Sequence, residues 1–176
     1  MKNCVKLVPA ILLTAAMFTP YPATADAPQH GPALAVVTGV GLSVMDPSGS
    51  VLHLAGNTTF GIGVKLYADG SAYGQFDCVD VIGATFAGNV WGGFTSWSEN
   101  QDGSVSFSGS MLTGTALTGT GAPLNSLGSF TVTIQKFGSA GLGHWTLDVP
   151  ALGGVICDET VTLGQILIDT GEARKD

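Results

Sequence analysis

Residues 58–78 read TTFGIGVKLYADGSAYGQFDC, and this stretch decides the fold. Phe60, Ile62, Val64 and Leu66 fall on one face, and Thr59, Gly61, Gly63, Lys65 and Tyr67 on the other. Successive side chains of a strand point to opposite sides, so this alternation marks a half-buried strand. Ala68-Asp69-Gly70 fits a three-residue hairpin loop with Gly70 in the left-handed conformation. That loop pairs Tyr67 with Ser71, which sets Phe60 opposite Cys78 and Ile62 opposite Phe76. Turn chemistry and apolar parity then agree, and the register is fixed.

Working outward, the same period recurs. SVSFSGSM (104–111) puts Val105, Phe107 and Met111 on one face and serines on the other, and FTVTI (130–134) repeats the pattern. Asp102-Gly103 reads as a two-residue turn, which places Phe94 opposite Met111. Further strands are expected near 33–44, 51–56, 81–90, 144–149 and 155–168, with Trp145, Leu147 and Val149 facing the core. No segment carries a helical repeat. The reading is an all-β, single-domain antiparallel β-barrel or sandwich of roughly eight to ten strands.

Residues 1–25 have the form of a secretory signal peptide. Lys2 and Lys6 precede an apolar run too short to span a bilayer, and Ala23-Thr24-Ala25 is a small-x-small cleavage site. The domain would then occupy residues 26–170, with a frayed tail at 171–176. Cleavage leaves four basic residues against thirteen acidic ones, a net charge of −9. Such a domain repels phosphate backbones and anionic lipid, so nucleic acid is excluded as a partner and no membrane span remains. The location expected is secreted or periplasmic. Cys4 leaves with the signal, so Cys78 and Cys157 remain as an even pair in an oxidising compartment, and a disulfide between them is expected.

FGIGVKLYADGSAYGQF (60–76), GGVICDE (153–159) and GQILI (164–168) together resemble a family of small secreted bacterial β proteins, over about residues 50–168. The resemblance implies the fold and a secreted life, and brings no catalytic residue with it. GFTSWSENQDGSVSFSG (93–109) is faintly similar to a hairpin of the avidin-type barrels, without their opening strand.

Signals for chemistry are sparse. Ile166-Leu167-Ile168-Asp169-Thr170-Gly171 has the form of the aspartic-protease signature, but too little chain follows to support a second carboxylate and a flap, so Asp169 reads as a strand end. Asp77, Asp80, Asp158 and Glu159 flank the two cysteines and form a candidate calcium cluster, weakened by parity: Asp77 points away from Cys78 and Asp158 away from Cys157. His30, His53 and His144 show no zinc-ligand spacing, and no GxSxG elbow or phosphate-cradling loop occurs, so no cofactor is expected. Thr113/Thr115 and Thr118/Thr120 in LTGTALTGTG (112–121) read as a glycine-interrupted strand and loop.

Tyr67, Tyr73, Trp91 and Trp97 have the opposite parity from the core and form the candidate ligand site, an outer aromatic strip. The barrel mouth is the second candidate. Aromatic faces on a surface suit sugars, flat small molecules or protein surfaces. The expectation is a secreted, non-enzymatic binding or interaction module. Its rivals are a small barrel enzyme of isomerase or cyclase type, using His53 or His144 with a carboxylate (His53 with Asp148, for example), and a purely structural surface protein. A histidine and carboxylate converging in a concave pocket would favour chemistry, and a filled core with aromatics outside would favour binding.

Overall fold

The computed structural model describes residues 30–80, 88–115, 123–138 and 143–170. The signal-peptide segment, the tail at 171–176, residues 81–87 of the 81–90 strand and most of the 112–121 threonine stretch lie outside them.

The chain is a closed antiparallel barrel in which each strand pairs with the next: β1 (Ala35–Met45), β2 (Gly56–Leu66), β3 (Ser71–Asp80), β4 (Asn89–Glu99), β5 (Val105–Thr115), β6 (Pro123–Lys136), β7 (His144–Val149) and β8 (Gly154–Asp169). β8 returns to β1, from Val36 opposite Asp169 to Met45 opposite Glu159. Closure removes the exposed edges that an open sheet would have to protect. Closure settles the choice between barrel and sandwich, and the expected strand at 51–56 is instead a loop over 51–55, with β2 beginning at Gly56. In that loop Leu54 is buried, and just before it the Ser50 hydroxyl donates to the Ile156 carbonyl at 2.6 Å.

The first hairpin has the register read from its sequence: Phe60 faces Cys78, Ile62 faces Phe76, and Gly70 has φ 82°. The Tyr67 N–H donates to the Ser71 carbonyl and the Gly70 N–H to the Tyr67 carbonyl, which closes the loop. The second hairpin is built the same way, and here the two-residue turn is corrected. The Asn100 N–H donates to the Ser104 carbonyl, the Gly103 N–H to the Asn100 carbonyl, and Gly103 has φ 80°. The loop is therefore Gln101-Asp102-Gly103, one residue longer than expected, and Ser96 faces Ser108. Met111 is also corrected: it is 57% exposed, whereas Leu112 is fully buried. The pairing of β5 with β6 breaks between Gly109 and Leu112, and such a bulge switches which residues face inward.

Two aromatic groups fill the interior. Trp145 meets Phe76 edge-on at 5.1 Å and Phe60 at 5.8 Å. Phe94 stands 5.4 Å from Phe107 and 5.7 Å from Phe130. Gly92 and Gly109 make room for Phe130, whose ring lies within 2.6 Å of where their Cβ atoms would be. An eight-stranded barrel is just wide enough for side chains to fill, and here they are mostly apolar. Among the described residues no helix is long and apolar enough to cross a membrane.

Candidate functional site

The filled interior moves attention to the outer wall. Cross-strand partners share a face, so the outward side chains of β2, β3 and β4 form rows. Gly61, Asp77 and Trp91 make one row, and Gly63, Gln75 and Gly93 the next. Lys65 and Tyr73 begin a third. These rows enclose a trough of about 690 Å³ lined by Gly63, Tyr73, Gln75, Asp77, Trp91 and Gly93, among others.

The floor is open because of glycine. A Cβ on Gly63 would meet nothing within 4 Å, and one on Gly93 would meet only the Gly74 carbonyl, at 3.7 Å. Gln75 stands between them with an amide that both donates and accepts. Asp77 leans over Gly61, whose Cβ position is 2.5 Å from its Oδ1, and burial raises the Asp77 pKa. Tyr73 is 60% exposed and Trp91 40%. They stand at opposite ends. Four residues of strand and one strand spacing put their Cα atoms about 14 Å apart.

Tyr67 and Trp97 lie elsewhere, so the expected strip of four rings divides into two pairs. Trp97 is half-buried against the core, and its indole N–H donates to the Tyr67 carbonyl at 2.9 Å. The Tyr67 ring stacks on His30 at 4.5 Å, and His30 Nδ1 lies 3.1 Å from the Ser71 hydroxyl and 3.4 Å from Asp69 Oδ2. This group joins the N-terminal segment to the first hairpin. The parity change in β4 between Phe94 and Trp97 turned Trp97 inward, and its sequence carries no mark of that change.

The four carboxylates expected to gather around a cation do not. Asp77 is in the trough, and Asp158 is on the outer wall of β8, where His144 Nε2 meets its Oδ1 at 2.7 Å. Glu159 is inside the barrel and fully buried. Among the described residues no group of three or more acidic, histidine or cysteine side chains is placed to hold a metal ion.

The disulfide is likewise corrected. Cys78 and Cys157 are both buried free thiols, and burial pushes both thiols well above their usual range. Cys78 instead donates to Glu159 Oε1 at 3.8 Å. The Thr58 hydroxyl donates to Glu159 Oε2 and also lies 3.4 Å from the Ser43 hydroxyl. Burial raises the Glu159 carboxyl to about 7, and the inward Asp80, opposite Thr58, is raised to about 6 for the same reason. Glu159 was legible in principle: it shares the parity of Cys157 and Val161, both of which face inward.

Of the two histidines expected to pair with a carboxylate, His144 does and His53 does not. His53 Nδ1 lies 3.0 Å from the Pro47 carbonyl, and His144 takes Asp158 on the wall of β7 and β8, away from the trough. Compared with protein-family models, with curated proteins and with solved structures, the chain matches none.

Proposed function

We propose that the chain is a secreted binding module that holds its ligand on the outer wall of the barrel. One observation carries this reading: the glycine-floored trough on β2–β4, with an exposed aromatic ring at each end, Gln75 between them and Asp77 beside Trp91. Flat apolar faces at the ends and hydrogen-bonding groups in the middle suit a ligand that is itself amphipathic. The packed interior favours binding outside over chemistry inside, and the His144–Asp158 pair opens on no part of the trough. Secretion rests on the signal-peptide pattern of residues 1–25.

The test uses the trough floor. Gly63→Val and Gly93→Val place side chains in open space at strand positions where valine is well tolerated. A thermal-shift screen of sugars, nucleosides, indoles and phenols should find ligands that stabilise the wild-type barrel and leave the double variant unmoved. Hits that stabilise both equally would place binding elsewhere.

A further inference from the structure

The two end residues stand farther apart on the wall than the two rings of one stacked pair. Stacked rings sit with centroids roughly 4.5–7 Å apart, whereas the Cα atoms of Tyr73 and Trp91 stand about 14 Å apart along β3 and across to β4. A ligand that uses both must present a flat apolar face at each end and span the distance between them. Between the ends it crosses Gln75, a donor and acceptor, and at the Trp91 end it meets Asp77, an acceptor when ionised. A chain of sugar rings has this alternation: apolar C–H faces that stack, and hydroxyl edges that donate to carboxylate and amide oxygens. The charges point to a neutral occupant. Asp77 is the one charged residue among those lining the trough, Lys65 pairs with Tyr73 from the neighbouring strand, and the processed chain as a whole stands at −9. Long anionic chains are therefore disfavoured.

We infer that the ligand is an uncharged linear oligosaccharide of at least three rings, lying along β3 with its ends stacked on Tyr73 and Trp91 and its hydroxyls on Gln75 and Asp77. This rests on the outer-wall reading of the site and adds the class, length and charge of what it holds.

The experiment is calorimetric titration of the processed protein with neutral gluco-, xylo- and N-acetylglucosamine oligomers of one to six units. Galacturonic acid oligomers and a proline-rich peptide serve as counterparts. Affinity should rise at least tenfold from monomer to trimer in one of the neutral series and then level off. Tyr73→Ala and Trp91→Ala should each weaken trimer binding at least tenfold and leave the weak monomer binding changed for only one of them. Gly63→Val should abolish binding with the fold intact by circular dichroism. Affinity independent of length, preference for the anionic oligomers, or tighter binding of the peptide would overturn the inference. If no oligosaccharide binds but Gly63→Val still blocks a hit from the wider screen, the sugar assignment falls and the trough stands. If the variant blocks nothing, both fall.

Discussion

At the scale of single residues, the most unusual group is Glu159, a fully buried carboxyl in a mostly apolar barrel. Burial lifts it from 4.5 to about 7, so the folded chain keeps a proton that the unfolded chain releases in that interval. The unfolded state then binds fewer protons, and stability falls as pH rises. The contribution is complete below about pH 4.5 and lost as pH passes about 7, a change on the order of 3 kcal/mol. Asp80, raised to about 6, acts in the same direction. Urea unfolding from pH 4 to 8 should show this decline, and Glu159→Gln should flatten most of it. A decline of equal steepness in the variant would mean that Glu159 is not its source. The cysteines make a second prediction at this scale. Thiol titration of the unfolded protein should count both Cys78 and Cys157, and a mass two hydrogens lighter would restore the bond between them.

At the scale of elements, the hairpins show what sequence could and could not reveal. Tyr67–Ser71 was legible because its loop residues and the flanking alternation agree on one register. Gln101-Asp102-Gly103 carries the same Asp-Gly-Ser chemistry, but a two-residue reading fitted the alternation equally well until the change of parity in β5 was visible. Both loops use an aspartate in the same way. Asp69 Oδ1 accepts from the Ser71 N–H and Asp102 Oδ1 from the Ser104 N–H, each at 2.9 Å, and these bonds with the serine hydroxyls hold both carboxyls below the usual range. Gly70→Ala and Gly103→Ala should each destabilise the barrel by about 1–2 kcal/mol, since both residues have positive φ. Equal stability on chemical unfolding would contradict the loop assignment. Gly63→Val and Gly93→Val, in open extended strand, should leave stability within about 0.5 kcal/mol of wild type. The aromatic site was half legible. Alternation placed Tyr73 and Trp91 outside, but only coordinates reveal that β4 changes parity before Trp97.

At the scale of the whole molecule, closure and filling divide the labour. In the proposed reading recognition takes place on the barrel wall, and the small residues that let Phe130 pack inside at Gly92 and Gly109 have outer counterparts at Gly63 and Gly93. One twisted sheet thus supplies a rigid core and a shallow trough, and a ligand need not open the barrel to enter. Binding should therefore change little inside. The direct test is to follow the indole N–H signals of Trp91, Trp97 and Trp145 by nuclear magnetic resonance while titrating the tightest ligand found. The Trp91 signal should move and saturate with the ligand while that of the buried Trp145 keeps its position. Movement of Trp145 with Trp91 unchanged would place the ligand inside the barrel and contradict the account.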